Sequence, residues 1–305
     1  MMNTRCPYCG NIVPEEFAFC DKCGVKKDDT FEYVSDKEVA QAKIVTPTND
    51  RTIKESFGSS MLKFFIIFLV YFLIAPYGVA FIYVFLNILA PGTFPNPSDL
   101  SDSNYLLLNM ALGEVSNAIV LLITFIVIFK SKRIKEFFGP AKATKSQKLG
   151  STLLQGIITF GCMYGAAIFI SIVSSILFPS AGEEVNANQG LIEAFIHDFP
   201  LFGFISVAIM APLVEELVFR FLLCKPIEQK KKWFGIAISG FVFGAIHLVA
   251  SVQEGTLIQD LPSLISYVGM GVVLGWRYTQ TDNIASNMVA HGLYNSISFL
   301  LIMFM

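Results

Sequence analysis

The 305-residue chain has few charged side chains for its length. Asp, Glu, Lys and Arg make up 15% of the residues, whereas hydrophobic residues make up 54%. Soluble domains carry about 25% charged residues, so the composition argues against a protein that is surrounded by water on all sides. The net charge of −2 gives no indication of a binding partner. Residues 1–60 are polar, and we expect no cleavable signal peptide there.

Long apolar segments account for the missing charge. A helix of about 20 apolar residues spans the hydrocarbon core of a bilayer. We therefore predict an all-α polytopic membrane protein, a bundle of about seven transmembrane helices. The predicted spans are 61–89, 105–129, 149–178, 201–223, 233–250, 261–278 and 283–304.

Three of the loops between these spans, 91–104, 179–200 and 251–260, contain no Lys or Arg. The alternate loops, 130–148 and 224–232, are rich in Lys. Loops with an excess of Lys and Arg stay on the cytoplasmic side of a membrane. The alternation therefore predicts a cytoplasmic N-terminus and a C-terminus outside.

Four of the six cysteines lie near the N-terminus, as two Cys-x-x-Cys pairs that are each followed by glycine. This spacing is typical of a closed structural zinc site with four thiolate ligands. Disulfides are an alternative, but thiols on the cytoplasmic side stay reduced. A redox-active pair is another, but no βαβ pattern surrounds the cysteines. We predict a zinc ribbon over residues 1–26, with the metal bound by Cys6, Cys9, Cys20 and Cys23.

We expect this ribbon to do no chemistry, because four protein ligands leave the zinc no open position. A module of this size cannot build a sufficient hydrophobic core, so the metal supplies most of its folding energy. A contact with a partner protein or a regulatory role remains open. Residues 27–60 are polar and mixed in charge, which predicts a flexible linker.

The segment 211–220, APLVEELVFR, places three ionisable side chains in an apolar span. Each charge near the bilayer centre costs roughly 2.5–3.5 kcal/mol on insertion scales. Glu216 and Arg220 are four residues apart, so they lie on one helix face and can form an ion pair. A buried structural pair explains these two residues but not Glu215. A carboxylate without a local partner inside a membrane indicates a functional site.

Two later spans each carry a histidine with a second notable residue on the same helix face. FGAIH contains Phe243 and His247, and HGLYN contains His291 and Asn295, in both cases four residues apart. A single histidine in a helix is most often structural. Two histidines, an asparagine and an unpaired glutamate all need hydrogen-bond partners away from lipid. We therefore expect them to meet in one water-filled cavity.

These four side chains have the chemistry to hydrolyse a peptide bond. Glu215 and His247 could hold a water molecule and accept its proton as it attacks a carbonyl carbon. His291 and Asn295 could donate hydrogen bonds to the oxyanion that forms. Water activation and an oxyanion hole are the two parts that peptide hydrolysis needs.

Motifs of other intramembrane hydrolases are missing from the sequence. There is no His-Glu-x-x-His, which argues against a zinc metalloprotease. Asp260 and Asp282 lie only at span edges, whereas an aspartyl protease needs two aspartates within the membrane. The last four spans contain no Gly-x-Ser setting for a serine nucleophile. The option left is a carboxylate–imidazole mechanism without a covalent intermediate.

Three motifs in roughly the last 105 residues, taken together and in this order, resemble the signature of one family. They are EExxxR at Glu215, Glu216 and Arg220, FxxxH at Phe243 and His247, and HxxxN at His291 and Asn295. The family is that of the CAAX protease and bacteriocin-processing (CPBP) proteins, also called type II CAAX prenyl endopeptidases or Abi-like proteins. The resemblance implies an intramembrane glutamic protease in a bacterial cell membrane.

The resemblance also implies a role for each motif residue. Glu215 and His247 would activate the water. His291 and Asn295 would stabilise the oxyanion. The supporting residues would be Glu216, Arg220 and Phe243.

By the same resemblance, the substrate is a membrane-associated or lipidated peptide or protein, cleaved in contact with membrane lipids. Nucleic acid is not an expected partner. Glu215, His247 and His291 could ligate a catalytic zinc, but we favour a metal-independent mechanism, so the ribbon zinc is the predicted cofactor. The predicted domains are accessory transmembrane helices over 61–148 and a protease region over 149–305, with a catalytic core at about 201–305.

Other classes of function stay open from the sequence alone. The same bundle could be a non-catalytic scaffold or a bacteriocin-immunity factor that binds a peptide without cutting it. A proton-coupled transporter would also bury Glu and His, but the inverted repeat that is usual in such proteins is missing. Glu114, near Asn117 in the second span, could contact Arg220 or line the cavity, and we favour a structural hydrogen bond.

Overall fold

A computed structural model describes residues 3–7, 10–15, 17–20, 25–34, 57–91, 102–130, 145–178 and 186–304 of the chain. The strands are β1 (Asn3–Arg5), β2 (Ile12–Pro14) and β3 (Glu32–Val34). The first helices are α1 (Phe57–Leu69), α2 (Ala75–Leu89), α3 (Asp102–Lys130), α4 (Lys145–Leu177) and α5 (Ala187–Asp198). The later helices are α6 (Pro200–Glu228), α7 (Lys232–Ile246), α8 (Val249–Glu254), α9 (Leu257–Thr281) and α10 (Ile284–Phe304).

The three short strands form an antiparallel sheet in the order β2-β1-β3. Thr4 at the centre of β1 pairs with Val13 on one side and Tyr33 on the other. The folded N-terminal module therefore extends to β3, beyond the predicted ribbon boundary at residue 26 and into the predicted linker. A three-residue strand has too little alternation to be recognised along the chain, and its pairing with β1 depends on tertiary contact. The rest of the predicted linker, 35–56, lies outside the described residues.

Six helices within the described ranges are long and apolar enough to cross a membrane. They are Leu107–Val127, Leu149–Leu177, Pro200–Glu228, Lys232–Glu254, Leu257–Thr281 and Ile284–Phe304. The chain is therefore a mostly helical, multi-pass membrane protein. The first predicted span, 61–89, corresponds to α1 and α2, which are joined by a π-helical segment, Val70–Ile74, and supply two shorter apolar stretches. A seventh crossing and the orientation of the termini stay predictions.

α1 and α3 pack against the helix that carries the two glutamates. Phe64 and Ile67 of α1 and Val120 of α3 share a buried cluster with Leu217 and Phe221 of α6. All five side chains are buried almost completely, so they offer α6 a close-packed apolar wall. The side of α6 that faces these helices is thereby closed to lipid.

α4 is tied to α9 and to the start of α10 by polar side chains. Arg277 donates from Nε to Thr159 Oγ1 at 3.1 Å and from Nη2 to Gln155 Oε1 at 2.6 Å. Asn283 donates from Nδ2 to Thr152 Oγ1 at 2.8 Å. Polar groups on apolar helices need such partners away from lipid. α4 therefore packs with the helices that form the cavity described below.

Glycines allow α7 and α9 to pack with their backbones almost in contact. A Cβ atom on Gly244 would lie 2.8 Å from the backbone nitrogen of Val268, and one on Gly271 would lie 2.8 Å from the Cα atom of Gly240. Small residues at a spacing of four are typical of close helix contacts in membranes. The contact places the end of α7, where His247 lies, beside the middle of α9.

Candidate active site

One cavity of about 540 Å³ is lined by all four predicted catalytic residues, Glu215, His247, His291 and Asn295. α6, α7 and α10 each contribute to it, and Phe243 lines it as well. Glu215 is 8% exposed and His291 is 5% exposed, so these two side chains are largely shielded from solvent by protein, whereas His247 and Asn295 are half-buried. The structure thus brings together side chains that are up to 80 positions apart in sequence.

Glu216 forms the centre of a buried polar network behind the cavity. Its Oε2 atom lies 3.4 Å from Arg220 Nε, as the spacing of four residues predicts, and accepts a 3.1 Å hydrogen bond from Asn287 Nδ2. Its Oε1 atom lies 3.0 Å from His291 Nδ1. Both partners of the Glu216–Arg220 pair are fully buried, and a buried charge pair needs such additional hydrogen bonds to offset its desolvation.

Asn287 was missed by sequence reasoning. It is fully buried, and its Nδ2 atom also donates to the carbonyl of Leu274 at 2.8 Å. A signal for it exists, because Asn287, His291 and Asn295 follow one another at intervals of four residues on α10. Residues at this interval share one helix face, so the polar stripe of α10 is longer by one turn than the HxxxN motif.

The His291 ring lies between two carboxylates. Its Nδ1 atom is 3.0 Å from Glu216 Oε1, and its Nε2 atom is 3.7 Å from Glu215 Oε2. A carboxylate accepts hydrogen bonds, so Nδ1 carries a proton that it donates to Glu216. This bond sets the orientation of the ring and directs Nε2 towards Glu215 on the wall of the cavity.

His247 follows directly after α7, and its ring is held from two sides. Nδ1 lies 2.7 Å from the carbonyl oxygen of Phe243. A backbone carbonyl only accepts, so Nδ1 carries the proton and Nε2 of the neutral ring is an acceptor. The ring also stacks on Tyr267, with centroids 4.3 Å apart and planes 19° apart. In the described part of the chain no direct hydrogen bond or ion pair joins His247 to Glu215.

Phe243 covers the buried ion pair. Its ring lies 4.4 Å from Arg220 Cζ, a distance at which a cation is attracted to an aromatic face. The same ring contacts Phe219 edge-on at 5.6 Å and His291 at 6.0 Å. The predicted supporting residues Glu216, Arg220 and Phe243 therefore form one unit behind the cavity.

An irregular turn of α6 holds Asn295. Ala211 would donate to the carbonyl of Val207 in an α-helix, but within the π-helical segment Ile205–Met210 it donates to Ser206 instead. The next residue, Pro212, has no N–H. The Val207 carbonyl thus lacks both helical donors, and it accepts a 2.9 Å hydrogen bond from Asn295 Nδ2.

Gly292 lets α10 approach this turn. A Cβ atom at Gly292 would lie 2.9 Å from the carbonyl oxygen of Ala208, which is tighter than side chains tolerate. Pro212 would donate to that carbonyl in a regular α-helix if it had an N–H. Pro212 thus leaves the Ala208 carbonyl without its helical donor, and Gly292 leaves room for α10 to pack against that carbonyl.

Glu114 is linked to the cavity through a neighbouring hydroxyl. Its Oε1 atom accepts hydrogen bonds from Ser206 Oγ and, at 3.4 Å, from Asn117 Nδ2. Ser206 lines the cavity. Glu114 therefore makes structural hydrogen bonds, as predicted, and the described polar contacts of Arg220 are with Glu216 and Gly271 rather than with Glu114.

The predicted zinc ligands are described only in part. Cys6 and Cys20 are buried in one apolar cluster, while Cys9 and Cys23 lie outside the described residues. Within the described ranges, no three His, Cys, Asp or Glu side chains are grouped closely enough to hold a metal ion. Two of the four thiols are thus in one cluster, and the position of the other two stays a prediction.

Cys6 and Cys20 each make a backbone hydrogen bond to a residue five positions later in the chain. The N–H of Cys6 donates to the carbonyl of Asn11, and the N–H of Cys20 donates to that of Val25, both at 2.8 Å. After Cys6, Gly10 has a φ of +72°, a backbone conformation that favours glycine.

Comparisons with known proteins concern the same part of the chain. Residues 197–297 match the family model described as Type II CAAX prenyl endopeptidase Rce1-like. The candidate membrane peptidase YdiL of Bacillus subtilis (strain 168) is 28% identical over 116 residues, which are 38% of this chain and 42% of YdiL. The UPF0177 protein YvdC of Lactococcus lactis subsp. lactis (strain IL1403) is 25% identical over 176 residues, which are 57% of this chain and 63% of YvdC.

The matched regions span less than two thirds of the length of either relative. No solved structure gives a significant match. The match to the family model nevertheless includes every residue of the three motifs. The C-terminal region of this multi-pass membrane protein is thus similar to the Rce1-like type II CAAX prenyl endopeptidases.

Proposed function

We propose that the protein is an intramembrane endopeptidase that hydrolyses a peptide bond in a membrane-associated or lipidated peptide or protein. The observation that supports this most is that Glu215, His247, His291 and Asn295 line one cavity among apolar helices. Polar and ionisable side chains are expensive in such surroundings and mark functional sites there. The similarity of residues 197–297 to CAAX prenyl endopeptidases agrees with this chemistry.

In the proposed reaction Glu215 is the general base. Its carboxylate accepts a hydrogen bond from a water molecule, and Nε2 of neutral His247 accepts a second one. The water attacks the peptide carbonyl carbon as its proton moves to Glu215. The carboxyl group then returns that proton to the leaving amine, so the base is regenerated.

Asn295 and His291 are the proposed oxyanion donors. Asn295 Nδ2 has two hydrogens, and the bond to Val207 uses one of them. The second hydrogen is available to the oxyanion. His291 joins it through Nε2 when both ring nitrogens carry protons, while Nδ1 remains bonded to Glu216. Donors that are held in place before the reaction stabilise the transition state without reorganisation.

The proposed mechanism needs no metal, and the proposed zinc is confined to the N-terminal module. There Cys6, Cys9, Cys20 and Cys23 hold a structural ion that stabilises the module. We also propose that the N-terminus is cytoplasmic and the C-terminus outside, since the Lys-rich loops alternate with loops that lack Lys and Arg.

A comparison of membrane peptides from cells that carry different variants tests the proposed activity. Cells with the intact protein, with Glu215→Ala and with His247→Ala are analysed by mass spectrometry. A matched control is Glu254→Ala, because Glu254 is an exposed glutamate outside the cavity. We expect a peptide product that is present with the intact protein and the control and is lost in both other variants. Unchanged products and full biological output in the two cavity variants, if both fold and insert, would favour the scaffold function.

A further inference from the structure

Tyr267 of α9 lies outside the three motifs and contacts His247. The two rings are stacked, with centroids 4.3 Å apart and an angle of 19° between their planes. Both residues line the cavity. The hydrogen bond from Nδ1 to the carbonyl of Phe243 fixes one edge of the His247 ring, but the ring plane can still turn about that bond. The Tyr267 ring restricts this rotation by packing against one face.

The hydroxyl of Tyr267 is held by the first turn of α5. It accepts a 3.2 Å hydrogen bond from Asn188 Nδ2 and lies 3.5 Å from Asn186 Oδ1. Asn186 is also the N-cap of α5, where its Oδ1 atom accepts from the N–H of Gln189 at 3.1 Å. The stacking partner of His247 is thus bonded to the residues at which α5 begins.

A second contact joins the same two helices. Asp260 Oδ2 accepts hydrogen bonds from the N–H of Ala187 at 3.1 Å and from Thr256 Oγ1 at 2.8 Å. Asp260 and Tyr267 are seven residues apart, so they lie on the same face of α9. α9 therefore holds the start of α5 at two points, and at the second of them Tyr267 also stacks on His247.

α5 forms part of the cavity wall. Four of its side chains line the cavity, namely Asn188, Gln189, Ile192 and Ile196. A substrate in the cavity would therefore lie against α5. A movement of α5 would shift Tyr267 through the Asn188 hydrogen bond. The shifted Tyr267 ring would in turn change the orientation of the His247 ring.

We propose that Tyr267 is a positioning residue, which fixes the plane of the His247 ring and couples it to α5. The aromatic ring sets the plane, and the hydroxyl provides the coupling. The importance of this arrangement for catalysis rests on the proposed function, because it assumes that His247 orients the attacking water. The geometric part does not depend on any activity and is tested separately.

The histidine spectrum tests the geometric part directly. The chain has three histidines, so full-length protein labelled with ¹⁵N- and ¹³C-histidine in lipid nanodiscs gives few signals, and His247→Gln identifies those of residue 247. In Tyr267→Leu we expect the ring signals of His247 to lose the upfield shift caused by the stacked phenol, while those of His291 stay in place as a control for folding. Tyr267→Phe is expected to retain the shift, because it keeps the ring.

Asp260→Asn is the matched control for α5. It weakens the other contact between α9 and α5 and leaves Tyr267 intact, so we expect the His247 shift to persist. An unchanged His247 signal in Tyr267→Leu would overturn the inference. Loss of the shift in Tyr267→Phe or Asp260→Asn to the same extent as in Tyr267→Leu would overturn it as well, since stacking would then not be the cause.

Kinetics on a Glu215-dependent product test the catalytic part. Misplacing a group by about 1 Å can lower a rate by about 10²-fold. We expect Tyr267→Leu to lower kcat by about ten- to a hundred-fold with a smaller effect on KM, and Tyr267→Phe to restore most of kcat. A Tyr267→Leu enzyme with unchanged kcat would refute the catalytic coupling. If no product depends on Glu215, the proposed function fails, and the histidine spectrum still decides the role of Tyr267.

Discussion

His291 Nδ1 lies 3.0 Å from Glu216 Oε1, so the second glutamate of the EExxxR motif is bonded directly to the histidine of the HxxxN motif. The same carboxylate is paired with Arg220 through its other oxygen. Glu216 is therefore more than one half of a local ion pair on α6. One of its oxygens pairs with Arg220 on α6, and the other sets the orientation of the His291 ring on α10.

Removal of one member of the Glu216–Arg220 pair is expected to destabilise the protein strongly. Breaking a buried pair leaves an uncompensated charge and costs about 3–5 kcal/mol. We expect Glu216→Leu and Arg220→Met each to lower the free energy of unfolding by about this amount, and the double variant to lose less than the sum. Denaturant unfolding in a mixed micelle measures all three. Additive losses would show that the two side chains do not act as a pair.

Substitution of Pro212 is expected to lower activity without lowering stability. Alanine at 212 has an N–H that can donate to the carbonyl of Val207 or Ala208, in competition with Asn295. Proline inside a helix costs about 3 kcal/mol, so Pro212→Ala is expected to raise the thermal midpoint or leave it unchanged. We expect a loss of about ten-fold in kcat, because removal of a whole oxyanion donor costs about 10²–10³-fold. A fully active Pro212→Ala enzyme would show that the Asn295–Val207 bond is not needed.

Close packing of α7 on α9 makes Gly271 sensitive to a single methyl group. A Cβ atom there would lie 2.8 Å from the Cα and the carbonyl oxygen of Gly240. Overpacking of this kind costs about 1–3 kcal/mol, so Gly271→Ala is expected to lower the thermal midpoint. Gly161→Ala in α4 is the matched control, since a Cβ atom there meets nothing within 4 Å and alanine favours the helix. Equal thermal midpoints for the two variants would contradict the packing described for α7 and α9.

Loss of the zinc ligands is expected to affect only the N-terminal module. A variant with Ser at positions 6, 9, 20 and 23 should lose about one equivalent of zinc and retain the Glu215-dependent product. Metal analysis of the purified full-length protein measures the first effect, and the peptide comparison measures the second. Stoichiometric zinc that persists in this variant would contradict the metal-independent mechanism, since Glu215, His247 and His291 would be the expected alternative ligands.

Much of the candidate site could be predicted because helical periodicity is local. Glu216 and Arg220 are close in space because they are four residues apart on one helix. The same spacing brings His247 Nδ1 within hydrogen-bond distance of the Phe243 carbonyl oxygen. The apolar spans were predictable for a similar reason, since the composition of each segment determines whether it can cross a membrane. Six of the seven predicted spans start within four residues of the candidate spans that the structure contains.

Other parts of the site depend on contacts between distant segments. Asn287 and Tyr267 carry no motif of their own, and β3 is recognised only through its pairing with β1. The carboxylate of Glu114 meets Ser206 across 92 positions of sequence. Such contacts depend on how two helices are rotated and shifted against each other, which no periodic pattern within one helix specifies.

The sequence by itself determined that this chain is a membrane protein and which side chains share a helix face, because both follow from the composition and spacing of single segments. Only the tertiary structure decided that His291 contacts Glu216, that Tyr267 stacks on His247 and that Asn295 bonds to Val207. The Tyr267–His247 contact depends on the close approach of α7 to α9 at Gly244 and Gly271, and the Asn295–Val207 bond depends on the π-helical turn before Pro212. Backbone approach and helix register are set by the packing of the whole bundle, so they become visible only when all its helices are in place.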